Sequence, residues 1–399
     1  MRVNNVRTTA RRKTGRWLTA GATLLSLGVL TPQAQAESVR SQQWYLDAMH
    51  AEEMWRTSTG SGVTVAVIDS RVDADAPDLR GQVLEGKDFL EDQPGNEHSS
   101  ADGHGTRMAL LIAGTGKGVG AFGVAPGAKI LPLQASGSAD FLSGSRAVAA
   151  AIRYAADSEA KILNVSLAGP QQSSEVEEAV RYALKKGRLV FAGVGNTGDK
   201  GNAVQYPAAI PGVVGVAAVD REIKAAPFSQ HGPQVDLAAP GVDMVGPCGD
   251  GTTDLCSGRG TSDATALASA SAALIWSAHP NWTGNQVLRV LINTAGGPKS
   301  GEKRSDTLGY GVVRPRIALQ NPGDPGPADV SPLPDAAAST AGASASRAAG
   351  GATQRRSTAD SGSRDNDRLF QRNLLVTGIA AAAILVIVVS VLAAWRRKG

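Results

Sequence analysis

Short, mostly apolar runs recur along the chain at residues 63–68, 129–133, 162–166, 189–192 and 213–219. Each has the length and β-branched content of a buried strand, not of a helix. Residues 145–155 and 174–186 instead space their apolar positions three and four apart, which predicts helices. Strands alternating with helices predict an α/β domain whose mostly parallel central sheet is covered on both faces. In such sheets ligands bind beyond the carboxyl ends of the strands. Asp69 and Asn196 follow closely on two of those ends. Further on, Thr283 and Gln286 have the spacing of a capping box and predict the start of a last helix.

Outside this region the pattern changes. Arg2, Arg7, Arg11, Arg12, Lys13 and Arg16 precede an apolar stretch at 17–30, and Ala34-Gln35-Ala36 gives a small-x-small cleavage pattern. Residues 1–36 therefore read as an export signal; the alternative, an uncleaved anchor, suffers from a stretch shorter than the roughly 20 residues a bilayer requires. Residues 321–372 are rich in Ala, Ser, Gly and Pro with few large apolar side chains, so a disordered linker is expected. An uncharged segment at 374–395 follows, and a helix there would reach about 33 Å. A transmembrane helix at 373–395 with a cytoplasmic tail at 396–399 is the resulting expectation, Arg396, Arg397 and Lys398 forming the inner flank. The chain would then be single-pass in the cell membrane. Its globular part, 37–320, would face outward.

Composition adds little to this picture. The net charge of +4 owes much to the termini. No helix-turn-helix, zinc-finger or aromatic-basic pattern argues for a nucleic-acid partner. Cys248 and Cys256 both fall in the exported part, where a disulfide is the default; two free thiols or a metal pair are the alternatives.

The candidate chemistry lies in three segments. Asp69 ends the run 63–68. His104 sits in Asp102-Gly103-His104-Gly105-Thr106. Ser262 follows Gly260 and Thr261 at the head of an alanine-rich stretch expected to be helical to about Ala278. Singly, each reads as a cap, a turn or an N-cap. Together, in the order Asp, His, Ser, they match the triad order of subtilisin.

On these motifs, residues 40–320 resemble the subtilisin-like serine proteases. Further matches are Gly123 to Lys129, Asn164 to Ala168, Val194-Gly195-Asn196, Tyr206-Pro207-Ala208, Phe228-Ser229 and Ala238 to Val242. The residues from Gln43 to Ala48 and the C-terminal anchor resemble the mycosins, membrane-anchored subtilases associated with type VII secretion in actinobacteria. The resemblance implies a three-layer subtilisin-like fold and a serine endopeptidase with Ser262 as nucleophile, His104 as general base and Asp69 as its orienting carboxylate. Asn196 and the Ser262 N–H would form the oxyanion hole. Ser166, Leu167, Ala168, Gly193, Val194 and Gly195 would bind a protein or peptide substrate as an added strand. The lipid bilayer and the secretion machinery are the other implied partners. Structural calcium, a common ligand in the family, is an open alternative for the acidic stretch 88–102, with a solvated loop preferred and no other cofactor expected. The other histidines, His50, His98, His231 and His279, have no partner pattern.

The sequence departs from the family at Arg71 and Leu110, where glycines are expected, at Ala168, another glycine position, and at Ala266, a proline position. Arg71 and Leu110 are expected to crowd the segments that place Asp69 and His104. Asp263, directly after the nucleophile, is expected to raise the His104 pKa. Only about 25 residues separate the predicted cleavage site from Val63, so no self-inhibitory pro-domain is expected; the resemblance implies that this segment wraps the catalytic domain. These departures keep open a second function class, an inactive subtilase that stabilises a secretion complex.

Overall fold

The computed structural model of the chain describes residues 39–90, 103–136, 145–247, 255–298 and 300–334. The predicted signal, the helix at 373–395, the tail, His98 and Cys248 lie outside them. Among the described residues no helix is long and apolar enough to cross a membrane.

The apolar runs form a seven-stranded sheet. Its strands are β1 (Thr64–Asp69), β2 (Lys87–Asp88), β3 (Lys129–Gln134), β4 (Ile162–Val165), β5 (Leu189–Gly193), β6 (Val214–Val219) and β7 (Leu237–Pro240). Their order is β2-β3-β1-β4-β5-β6-β7, and every pairing is parallel. Strands covered on both faces have no solvent side to make polar, hence their continuous burial from Val65 to Asp69 and throughout β4, β5 and β6. The chain passes from β1 outward to β2 and β3, then returns across β1 to β4. The sheet therefore reverses direction at β1 and β4, the position where a crevice opens at the carboxyl edge.

The principal helices are α4 (His104–Ala113), α5 (Ser145–Asp157), α6 (Ser174–Lys185), α7 (Thr261–Ala278) and α8 (Gly284–Asn293). Alternation of side chains along the strands divides them between two faces. Ala66, Ile68, Leu163, Val165, Val190 and Ala192 pack with α5 and α6 in one cluster. Asn164, whose neighbours face that cluster, turns to the other side and meets Ser269 of α7. Helix α7 also packs against β5, β6, β7 and α4. It is buried almost throughout from Thr261 to Trp276, and its alanines and serines allow that close approach. The predicted capping box opens α8: Thr283 Oγ1 accepts from Gln286 N, and the Gln286 side chain returns to the Thr283 N–H.

Three short helices, α1 (Val39–Gln42), α2 (Trp44–Ala48) and α3 (Ala51–Trp55), precede the sheet. They lie against the rest of the fold: Tyr45 and Leu46 are fully buried, Trp44 Nε1 donates to Val242 O and Trp55 Nε1 to Val124 O. A two-stranded antiparallel hairpin, β8 (Met244–Pro247) with β9 (Leu255–Gly258), stands apart from the sheet.

The compact part does not stop at Gln320, the end of α9 (Pro315–Gln320). Residues 321–334, assigned by composition to a disordered linker, lie along α8. Arg289 donates to Pro325 O (2.6 Å), Pro327 O (3.0 Å) and Val330 O (2.5 Å), and Thr283 Oγ1 to Ala328 O (2.8 Å). Leu333 is buried. Composition missed this because the acceptors are backbone carbonyls, which every residue carries. Arg289→Ala is expected to cost roughly 1–3 kcal/mol of stability. In hydrogen exchange, the amides of 323–333 should lose protection while those of the sheet keep it.

Candidate active site

The sheet reversal gathers the candidate residues. Asp69 ends β1 and is 1% exposed. Its Oδ1 accepts from Ser70 N (2.7 Å) and lies 2.6 Å from His104 Nδ1. Its Oδ2 is buried with no hydrogen-bond partner among the described residues. A buried carboxylate so placed favours a charged imidazole beside it. His104 opens α4 and is held to the end of β1 by two contacts. Gly105 N donates to Ser70 Oγ (3.0 Å), and Asp73 N donates to Thr106 Oγ1 (2.9 Å).

Ser262 lies in the first turn of α7, where free N–H groups and the helix dipole favour negative charge. Its Oγ donates to Ser166 O (3.3 Å), and Ser166 Oγ donates back to Ser262 O (3.3 Å). Behind them, buried Asn164 donates to Ser166 Oγ (2.9 Å) and accepts from Ser269 Oγ (3.0 Å). Beyond β5, Asn196 Oδ1 accepts from Thr261 N (2.8 Å) and Thr261 Oγ1 (3.1 Å). With its oxygen so fixed, the amide presents Nδ2 as a donor. Gly195 makes the turn possible: its φ is +109°, and a Cβ there would lie 1.9 Å from Gln230 Oε1. Asp69, His104, Ser262 and Asn196 thus come from the ends of β1 and β5 and the starts of α4 and α7, and α4 packs against α7.

Residues 60–311 match the Subtilase family (Peptidase_S8). The chain belongs to this family. It is 35% identical over 323 residues to fervidolysin of Fervidobacterium pennivorans, covering 73% of this chain and 46% of that protein. It is 37% identical over 244 residues to subtilisin E of Bacillus subtilis strain 168, covering 59% of this chain and 61% of that protein. The chain thus spans about half to three-fifths of those relatives. Among solved structures, a serine protease MycP1, described as an essential component of the type VII (ESX-1) secretion system, superposes with a TM-score of 0.61. That pair is 32% identical and covers 71% of this chain and 90% of the other.

Not every anticipated binding residue of this subtilase is available to a substrate. Ser166 is joined to Ser262, and Leu167 and Ala168 follow it, partly exposed. Val194 is fully buried and its N–H donates to Val216 O (3.1 Å). Gly195 N donates to Thr261 Oγ1 (3.2 Å), and Gly195 O accepts from Gln230 N (3.1 Å). The Val194 N–H and both backbone groups of Gly195 are thus engaged within the fold. At Gly193 a Cβ would stand 2.8 Å from Thr261 Oγ1, so glycine there lets α7 approach.

The departures from the family pattern also look different in three dimensions. Arg71 does not crowd Asp69: its guanidinium runs along the sheet to Gln134 Oε1 (2.6 Å) and Asp88 Oδ2 (3.1 Å). Leu110 is absorbed into the core at 5% exposure, and Ala266 is fully buried within α7. Asp263 is not a lone carboxylate but meets Arg107 Nε at 2.7 Å. Sequence reasoning missed Arg107, whose signal was its position three residues after His104, on the same helical face. The remaining described histidines have ordinary settings. His50 lies 3.9 Å from Glu53, His231 N donates to Asn202 Oδ1, and His279 stacks on Trp282 at 3.7 Å, burial lowering its basicity. Among the described residues no group of three His, Cys, Asp or Glu side chains could hold a metal ion. Residues 91–102, most of the acidic stretch, lie outside the described set.

The closest backbone approach at the site is at Gly105, where a Cβ would lie 2.4 Å from Ser70 O and 2.6 Å from Arg71 O. Gly105→Ala is expected to push α4 from the end of β1 and to cost roughly 1–3 kcal/mol. The far-downfield proton NMR resonance of a short Asp69–His104 hydrogen bond should weaken or vanish in the variant.

Proposed function

We propose that this subtilase is a serine endopeptidase with Ser262, His104 and Asp69 as its triad. The observation that carries the reading is the 2.6 Å contact of His104 Nδ1 with Asp69, His104 opening a helix that packs against the one bearing Ser262 and is bonded to its first turn through Arg107 and Asp263. Asp69 holds the imidazole with Nε2 as acceptor and stabilises it once charged. On substrate binding, Ser262 Oγ leaves Ser166 O and attacks the scissile carbonyl carbon while His104 Nε2 takes its proton. Asn196 Nδ2 and the Ser262 N–H hold the oxyanion. His104 then protonates the departing amine as the C–N bond breaks, leaving an acyl ester on Ser262. A water molecule, deprotonated by His104, hydrolyses that ester.

The finer reading is an export-signal-bearing, membrane-anchored protease facing outward, stabilised by a Cys248–Cys256 disulfide and serving type VII secretion. Its support is the sequence of the two ends, the likeness to MycP1, and the β8–β9 hairpin, which pairs Pro247 with Leu255 beside the two cysteine positions. A scaffold role in the same complex is the second reading, favoured by Ser262 Oγ bonding to Ser166 O (3.3 Å).

A fluorophosphonate probe separates the two. The native protein should label, and Ser262→Ala should not. Asp69→Asn should label about ten-thousandfold more slowly, and Asn196→Ala should hydrolyse peptides about a hundredfold more slowly. A folded native sample that takes no label would leave the scaffold reading. Deleting 373–399 should release the protein from the membrane fraction.

A further inference from the structure

A buried ion pair lies immediately beside the candidate triad. The Arg107 and Asp263 side chains are 13% and 5% exposed and meet at 2.7 Å. Arg107 belongs to the helical turn that begins with His104; Asp263 directly follows Ser262. The guanidinium also donates to Met244 O on β8 (2.6 Å). The hairpin is shaped to admit it: a Cβ on Gly258 would lie 2.5 Å from Arg107 Nη2, and one on Gly246 would lie 3.3 Å from Nη1. Removing a buried carboxylate's partner is costly, so the two charges depend on each other. Burial raises the Asp263 carboxyl, and Arg107 and then His104 pull it back down, which places His104 within its field.

We infer that Arg107 and Asp263 form a positioning pair, seated in the hairpin, that keys α4 to α7 and cancels the charge beside the nucleophile so that His104 feels chiefly Asp69. This rests on the protease reading for its purpose, though not for its test. Among the described residues, the charged and titratable groups packed near His104 are few. Asp69 faces it from β1, Asp263 from α7 and Arg107 from its own helix, and Asp73 is joined to that helix through its N–H bond to Thr106 Oγ1. Buried Tyr45 of α2 lies in the field of both partners. Lys129 of β3 is bound instead to Gly81 O and Gln82 Oε1, and β8 carries no charge.

The test is histidine-selective NMR titration of the full chain, with the His104 resonance assigned by His104→Gln, alongside fluorophosphonate labelling rates. In Asp263→Asn the uncompensated Arg107 should lower the His104 pKa by roughly half a unit or more, about a threefold change in its protonation equilibrium. In Arg107→Met/Asp263→Leu, an apolar replacement of a kind that buried pairs tolerate, the pKa should return to its native value. Labelling should nevertheless slow about tenfold or more, because the two helices are no longer keyed. A folded Asp263→Asn protein with native His104 titration would overturn the inference. So would a double variant that labels at the native rate, which decides the matter if Asp263→Asn fails to fold. The titration needs no turnover, so a native protein that takes no label would sink the protease reading and leave the inference to be judged on the pKa shift alone.

Discussion

Helix α7 runs buried from its first turn to Trp276 against strands that are themselves covered on both faces, and most of the molecule is arranged around that passage. A helix with no solvent face cannot be amphipathic; it has to be small-sided and apolar throughout, which the alanine-rich run supplies. Its polar exceptions must be satisfied inside the protein. Ser269 is satisfied by Asn164, Ser271 by Leu267 O, and Thr265 by Thr261 O. The bond to Asn164 also fixes the helix along its axis, because a strand residue cannot slide without breaking its ladder. That anchoring, together with the paired bonds between Ser262 and Ser166, places Ser262 at the carboxyl edge of the sheet.

Around this axis the site is assembled from polar groups in a water-poor setting, where each unpaired group costs far more than at the surface. Thr261 shows the economy of the arrangement, bridging Asn196 and Gly195 through one hydroxyl. Buried Gln230 performs a similar service on the other side of the loop, donating to Thr197 Oγ1 and Ala203 O. Charges are treated the same way. Arg71 is paired with Asp88 and Arg107 with Asp263, each across two different elements.

Much of this was legible in the chain. The strands at 64–69, 129–134, 162–165, 189–193 and 214–219 follow apolar runs almost residue for residue, because a doubly covered parallel strand has no polar positions to blur its signal. The motifs that carry Asp69, His104, Ser262 and Asn196 were legible, and the structure brings these residues to neighbouring element ends. What escaped depends on pairing across distance. Arg107 and Asp263 are 156 residues apart, and nothing periodic links them. Arg71 read as a steric intrusion because its charge partner, Asp88, lies 17 residues away on strand β2. The bonds of the Val194 N–H and of Gly195 within the fold were not legible, because a motif names positions without saying which backbone groups are already used. Strand β2, two residues long, is too short to register as a run at all.

The early helix α3 and the late helix α9 pack against each other, and Glu53 of α3 receives Gln320 and Arg316 from α9. The Glu53–Gln320 contact closes a loop of 267 residues, so the domain is fastened by segments that emerge from the ribosome far apart in time. Parallel strands already place their partners distantly in sequence, and this clasp adds the longest separation last. Folding of this domain is therefore expected to be slow and to finish late. Until the segment around Pro315 has been made, α3 lacks this last partner, although Trp44 and Trp55 already have theirs at Val242 and Val124.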